Sequence, residues 1–177
     1  MKLPDFIRLA GAPPPLKSLV IGGFAVGVHG FTRPTFDVDL LIRRPDLEAW
    51  KHRLSGSGLL LLSEQTAFAQ FTQGEGLDGL DLMVVNEETF QRMDSAAVAV
   101  SFDGIAGRVV SLDHLLALKL HVLRQALPHR TGKDARDVEE LLRRNRVPLD
   151  SEHYRSLFLR YGDPQLYETF LRLSGRS

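Results

Sequence analysis

Two aspartates, Asp37 and Asp39, interrupt the otherwise apolar segment 36–42. Its β-branched and apolar residues predict a strand, in which residues two positions apart project from the same face. The two carboxylates would then lie within about 7 Å of each other. Like charges at that distance repel, so the pair predicts a cation between them, and Mg²⁺ prefers carboxylate oxygens. Taken alone, the pair is also consistent with a solvated edge strand.

A third carboxylate, Asp81, lies in a second apolar segment, 80–85. Strand alternation places it on the face opposite Leu80 and Leu82. The competing candidate is Asp78, but its Gly-Leu-Asp-Gly context is typical of a turn. Asp37, Asp39 and Asp81 are therefore the predicted catalytic and metal-binding residues, in a cluster able to hold one or two Mg²⁺ ions, with Mn²⁺ as the alternative metal.

The chain of 177 residues contains no cysteine. Disulfides, thiolate zinc sites, iron–sulfur clusters and cysteine nucleophiles are therefore excluded. None of the six histidines has metal-ligand spacing with another, and no serine lies in a Gly-x-Ser-x-Gly motif, so zinc and serine hydrolases are unsupported. No apolar run reaches the length of a signal peptide or membrane span, which predicts a soluble cytoplasmic protein without membrane contact.

The elements that must position these carboxylates form a mixed β-sheet with flanking helices and a helical C-terminal region, an α+β fold. The division is predicted as a core, 1–111, and a helical region, 112–177, packed on it as one compact unit. The predicted strands are 19–21, 36–42, 59–62, 66–72, 80–85, 98–102 and 107–111. The predicted helices are 24–29, a segment through Arg53, 87–93, 112–127, 134–144, 154–160 and 165–173. Asp103-Gly104 indicates a hairpin turn, with a longer loop as the alternative.

Lys119 falls near the middle of the apolar face of the predicted helix 112–127. Its ammonium must reach an anion or extend to the edge of the face, and a phosphate in an adjacent cleft would satisfy it. Asp134 and Asp137 are predicted in the first turn of the next helix, where the helix dipole favours carboxylates whatever their function. A site role for Asp137 is left open beside that structural role.

The formal charge is zero, with 22 basic and 22 acidic residues, which argues against general polyanion binding by the whole chain. Segment 119–146, however, holds eight basic and only four acidic residues. This local patch predicts contact with RNA or a triphosphate. Solvated arginines on helix surfaces are the alternative.

The run from Gly22-Gly23 through Arg33 and Thr35 to Asp37 and Asp39 resembles the signature of the nucleotidyltransferase superfamily, which has the DNA polymerase beta fold. Within it the chain is most similar to AbiEii-type and related stand-alone bacterial nucleotidyltransferases. With Asp81, the resemblance spans residues 19–85, about half of the chain. The later residues Lys119, Arg124 and 133–137 also look like elements of AbiEii-type proteins.

The resemblance implies that the glycine pair ends a strand, opens a helix and leaves backbone N–H groups for nucleotide phosphates. Glycine suits this because a closely approaching phosphate leaves no room for a side chain. Asp37 and Asp39 would bridge two Mg²⁺ ions, and Asp81 would bind the ion that activates the attacking hydroxyl. The implied nucleotide-binding residues are Gly22, Gly23, Arg33, Lys119 and Asp137. His29 would either contact the nucleotide or fill the junction between helix and loop.

The implied activity is Mg²⁺-dependent transfer of a nucleoside monophosphate from a nucleoside triphosphate (NTP) to a hydroxyl on a protein, a tRNA or other RNA, or a small molecule. Pyrophosphate leaves from the α-phosphate. A toxin–antitoxin system is one context for this activity. Two alternatives stay open: a catalytically silent binding module or antitoxin that keeps the fold, and an antibiotic-modifying nucleotidyltransferase.

Overall fold

The computed structural model describes residues 1–74, 79–125 and 128–175, the side chains of 128–131 excepted. Two compact units are formed. The sheet unit comprises Met1–Ala25 and Arg33–Ser111, and the helical unit comprises Val26–Thr32 and Leu112–Ser177. None of the described helices is both long enough and apolar enough to span a bilayer.

The sheet unit is built on seven strands in the order β3-β4-β5-β2-β1-β7-β6. The pairs β2–β5 and β1–β7 are parallel, and the other pairs are antiparallel. This arrangement confirms the predicted α+β class with a mixed sheet. The strands are β1 (Leu19–Val20), β2 (Val38–Arg43), β3 (Leu60–Gln65), β4 (Phe68–Thr72), β5 (Gly79–Val85), β6 (Val98–Phe102) and β7 (Ile105–Val109). The helices are α1 (Leu3–Gly11), α2 (Gly22–Val28), α3 (Leu47–Gly56) and α4 (Glu87–Ser95).

The central strand β5 alternates as its sequence predicts, whereas β2 is buried on both faces from Leu40 to Ile42. Leu80, Leu82 and Val84 are buried, whereas Asp81 and its neighbours on the same face are partly exposed. The β2 strand begins at Val38, two residues later than predicted. The ladder starts with Val38 opposite Leu80, and the backbone N–H of Gly79, the residue before, donates to the Asp37 side chain instead of to a β2 carbonyl.

Arg43 fixes the carboxyl end of β2. Its guanidinium forms two hydrogen bonds with the buried Asp46, at 2.7 and 2.8 Å, and Nη1 donates to Glu87 at the start of α4. The hydrogen bonds to Asp46 are the main reason that the pKa of Arg43 is raised. The strand that carries Asp39 is thereby tied to the helix that follows β5.

The β6–β7 hairpin has the short turn that Asp103-Gly104 indicates. Both turn residues have positive φ angles, 49° and 81°, as a two-residue turn of type I′ requires. The hairpin prediction is confirmed, and the longer loop is not formed.

The helical unit contains α5 (Leu112–Arg124), α6 (Pro128–Arg144), α7 (Glu152–Tyr161) and α8 (Pro164–Ser174). The buried face of α5 includes Leu116, Leu120 and Lys119, as the periodicity predicts, while the end predicted for this helix at 126–127 lies outside the described residues. Ser151 and Asp163 cap α7 and α8 by accepting backbone N–H groups of the first turn.

One prediction for the helical unit is wrong. Asp134 and Asp137 do not lie in the first turn of α6, because this helix begins at Pro128. Both aspartates lie in the helix interior, where a terminal dipole does not stabilise them. Their burial must be explained by another partner, which is described below.

Candidate active site

Asp39 and Asp81 are register partners in the parallel β2–β5 ladder, so their side chains leave the same face of the sheet on adjacent strands. The next strand, β4, places Gln70 opposite Asp81, and Gln70 Nε2 donates to Asp81 Oδ1 at 3.2 Å. These three side chains form a row across β2, β5 and β4. Sequence analysis did not find Gln70, because only the β4–β5 register shows that it lies beside Asp81.

Asp37 lies one residue before the start of β2 and is exposed. Its Oδ1 accepts the backbone N–H of Gly79 at 3.3 Å. A Cβ at position 79 would lie 3.2 Å from Phe71 O and 3.4 Å from this oxygen, so the tighter restriction on a side chain there comes from the β4 backbone. Asp37 therefore connects the segment before β2 to the first residue of β5.

Gly22 lies at the turn between β1 and α2, directly against Asp39. It has a φ angle of +61°, and a Cβ built on it would overlap the Asp39 carboxylate. The β1–α2 turn is also held by a hydrogen bond from Ile21 N to Asp39 O at 3.0 Å. The structure therefore brings the predicted glycine pair and the predicted aspartate together.

Substitution Gly22→Ala tests this packing. We expect it to destabilise the protein by at least about 1 kcal/mol, since alanine is strained at this φ and its methyl group must displace the Asp39 carboxylate. Urea unfolding measures the loss. Gly27→Ala is the matched control in the same helix, because a Cβ there meets no atom within 4 Å. Equal stability of the two variants would contradict the proposed contact.

Arg33 and Thr35 lie beside the second glycine of the pair. A Cβ on Gly23 would overlap the Thr35 hydroxyl and would lie 3.4 Å from Arg33 Nη1. A guanidinium and a hydroxyl therefore stand next to the backbone of the β1–α2 turn. Arg33 Nη1 donates to Pro34 O at 3.3 Å, and Thr35 Oγ1 donates to Asp37 O at 3.5 Å. Arg33 is one of the predicted nucleotide-binding residues, whereas Thr35 is predicted only as part of the signature.

The donor set of this face suits a hard divalent cation, because it consists of carboxylate oxygens and includes the register pair Asp39–Asp81. Within 1–74, 79–125 and 128–175, however, no three acidic or histidine side chains are arranged as a ready ligand set. Asp37 Oδ1 is directed to Gly79 N instead. The structure therefore brings Asp39 and Asp81 together as possible cation ligands. A role for Asp37 as a third ligand stays a prediction.

Lys119 forms ion pairs with two aspartates of the helical unit. Its Nζ lies 2.5 Å from Asp134 Oδ1 and 2.8 Å from Asp137 Oδ2. All three residues are buried, with exposed fractions of 7%, 2% and 0%. The apolar face therefore does carry a compensated lysine, and its partners are carboxylates of α6. A nucleotide-binding role for Lys119 and Asp137 stays a prediction.

His29 follows the last residue of α2 and belongs to the helical unit. Its backbone carbonyl accepts a hydrogen bond from Asn145 Nδ2 at 2.9 Å. This contact anchors the junction between helix and loop, and it leaves both of the predicted roles for the imidazole open.

No protein-family model matches the sequence, and no curated protein matches it in sequence. Solved structures do match the fold. A nucleotidyltransferase-like antigen from Paracoccidioides brasiliensis is 14% identical with a TM-score of 0.60, and 98% of this chain and 88% of that one are covered. ANT(2'')-Ia in complex with adenylyl-2''-tobramycin is 15% identical with a TM-score of 0.65, covering 88% and 92%.

A third match is the lincosamide antibiotic adenylyltransferase LnuA with bound lincomycin, which is 14% identical with a TM-score of 0.56 and covers 80% of this chain and 96% of that one. At these identities the similarity establishes the fold alone. The predicted nucleotidyltransferase fold is confirmed.

Proposed function

We propose that this chain is a Mg²⁺-dependent nucleotidyltransferase that transfers a nucleoside monophosphate from an NTP to an acceptor hydroxyl. The observation that carries the proposal is the register pair Asp39–Asp81, of which Asp39 packs directly against Gly22. Two adjacent carboxylates repel unless a cation compensates them, and a triphosphate arrives with such cations. The shared fold with nucleotidyltransferases supports the same conclusion.

In this proposal Asp39 and Asp81 hold the metal, and Asp37 completes the set by turning from Gly79 N. Bound Mg²⁺ would supply charge neutralisation at the phosphates and activation of the hydroxyl. Gln70 positions Asp81 through the hydrogen bond to Oδ1. The chain needs no covalent intermediate, because the acceptor oxygen can displace pyrophosphate directly from the α-phosphorus.

The phosphates are proposed to lie at the β1–α2 turn. Gly23 leaves room for the side chains of Arg33 and Thr35 against this backbone, where they offer a charged and a neutral donor. Lys119 and Asp137 are also proposed to contribute to nucleotide binding. Their mutual ion pair is a separate, structural role.

The proposed acceptors are a protein, an RNA or a small molecule, and the proposed compartment is the cytoplasm. The AbiEii-type signature favours a toxin–antitoxin role. Antibiotic modification is the second candidate function. Two of the structures with this fold are antibiotic adenylyltransferases, one in complex with adenylyl-2''-tobramycin and one with bound lincomycin.

The test is incubation of the purified protein with each α-labelled NTP and Mg²⁺, in the presence of tRNA, cell extract, an aminoglycoside or a lincosamide. Mass spectrometry is expected to show one nucleoside monophosphate added to one acceptor class, with equimolar pyrophosphate release. Chelation of Mg²⁺ should stop both. Tight NTP binding without pyrophosphate release in every arm would instead identify a catalytically silent binding module.

A further inference from the structure

The exposed side of α6 carries four basic residues on one face. At 100° per residue they fall within an arc of about 100°, and Glu140 is the acidic residue among them. All four basic members are exposed. We call this group the basic stripe; its members are Lys133, Arg136, Arg143 and Arg144.

Burial makes this surface more positive than the sequence suggests. Asp134 and Asp137 are two of the four acidic residues in segment 119–146, and both are buried against Lys119. Two acids and one base are thereby removed from the surface. Of the remaining acids, Glu140 is shared between Arg143 and Arg144, at 2.8 Å from each.

Two members of the stripe are held in place before any ligand binds. The guanidinium carbons of Arg136 and Arg144 lie 5.8 and 5.5 Å from the ring centroid of Phe31, which is buried in the same unit. Cation–π contacts of this kind order long side chains. Ordered side chains lose less conformational entropy on binding, so the stripe is partly preorganised.

A cleft of about 290 Å³ opens at the carboxyl end of the stripe, between α6 and α8. Leu142 and Phe170 are its buried apolar residues, and Arg143 and Arg146 are among the residues that line it. This volume lies at the small end of ligand sites, which suits one planar ring rather than a protein segment. The carboxylate of Glu139 also lines the cleft, so its wall carries two guanidiniums and one acid. An apolar floor with a net positive wall suits a nucleobase attached to its phosphate.

Arg146 has an unusual backbone for its residue type. Its φ angle is +50°, at the position after α6 where Val147 N donates to Leu142 O and glycine is the usual residue. Arginine is strained in this left-handed conformation. Strain of this kind is typically retained where the side chain has a function.

We propose that the helical unit binds single-stranded RNA. The basic stripe takes successive phosphates, and the α6–α8 cleft takes one unstacked base, with Arg143 common to both. Only an unpaired strand can offer a base to the cleft while its backbone follows the helix. This proposal does not depend on nucleotidyl transfer, and its binding test is separate from the activity test.

The first test measures binding of a fluorescent 12-nucleotide single-stranded RNA by anisotropy at several salt concentrations. The charge-reversal variant R136E/R143E is expected to bind at least about tenfold more weakly, with the salt slope reduced by about 1.4 for two lost phosphate contacts. R92E/R155E is the matched control, since both arginines are exposed and lie outside the stripe. Equal losses in the two variants, or no binding by the wild type, would overturn the proposal.

The second test uses Arg146→Gly, which separates folding from binding. Glycine suits the left-handed position, so the melting temperature should rise while RNA affinity falls severalfold. A more stable variant with unchanged RNA affinity would refute the role of the cleft. Duplex RNA of the same sequence should bind at least about tenfold more weakly than the single strand, and equal binding would refute the unpaired-base requirement.

Discussion

Replacement of Asp39 by asparagine is expected to lower the rate of nucleotidyl transfer by about 10³-fold. The side chain keeps its size, so its packing against Gly22 is preserved. What is lost is one of the two charges that the β2–β5 register places side by side. Pyrophosphate release under saturating NTP and Mg²⁺ measures the effect.

The same variant gives a readout that does not require activity. Millimolar Mg²⁺ should raise the melting temperature of the wild type and leave that of the variant unchanged, since a ligand stabilises only a state that binds it.

Asp103→Asn is the matched control for this substitution. Asp103 lies in the β6–β7 turn with a φ angle of 49°, a conformation that asparagine also adopts readily. Activity and Mg²⁺ response should therefore be unchanged. Asp39→Asn retaining more than about a tenth of the wild-type rate would contradict the proposed metal site.

Replacement of Lys119 by alanine is expected to destabilise the protein by about 3–5 kcal/mol. The variant leaves the carboxylates of Asp134 and Asp137 in the helical unit without the ammonium that lies 2.5 and 2.8 Å from them. Buried charges that lose their partner cannot regain hydration without opening the structure. Urea unfolding measures the change in free energy.

A second variant tests whether the loss of stability comes from the missing ion pairs or from the buried charges that are left unpaired. The apolar triple variant K119M/D134L/D137L should recover most of the stability, because apolar packing replaces a buried charge network at little net loss. Lys51→Ala is the surface control, since Lys51 pairs with Glu48 and Glu64 at the surface, and it should lose far less stability than Lys119→Ala. A loss below about 1 kcal/mol for Lys119→Ala would contradict the buried network.

The triple variant also decides the predicted nucleotide role of Lys119 and Asp137. If the folded triple variant binds NTP as tightly as the wild type, these residues are structural. If it is folded and stable but its NTP affinity falls at least about tenfold, a phosphate contact of Lys119 is supported. Isothermal titration with a non-hydrolysable NTP analogue gives this answer independently of turnover.

Local periodicity and turn residues were sufficient to predict the strand face of Asp81 and one of the hairpins. Alternation alone placed Asp81 on the face opposite Leu80 and Leu82, and Asp103-Gly104 defined its hairpin. The glycine pair and the aspartate pair are close in the chain, so their signature is visible without the fold. Such features depend on backbone geometry over a few residues, which the amino-acid sequence determines directly.

Tertiary structure decided which residues pair across longer distances. The register that sets Asp39 beside Asp81, and Gln70 beside Asp81, depends on how three strands align. Proline at the first helical position is a helix-start signal for α6 at Pro128, but the pairing of Asp134 and Asp137 with Lys119 has no such local signal.

Asp134 and Asp137 of α6 show why such pairings cannot be predicted from local sequence. Their sequence neighbours favour a helix terminus, but packing of α6 against α5 brings them to Lys119, and pairing offsets the desolvation of all three charges. The same packing removes them from the surface and leaves the basic stripe exposed. The amino-acid sequence thus determined the types and local faces of the reactive residues, and packing between distant segments decided which charges are buried together and which remain available to a ligand.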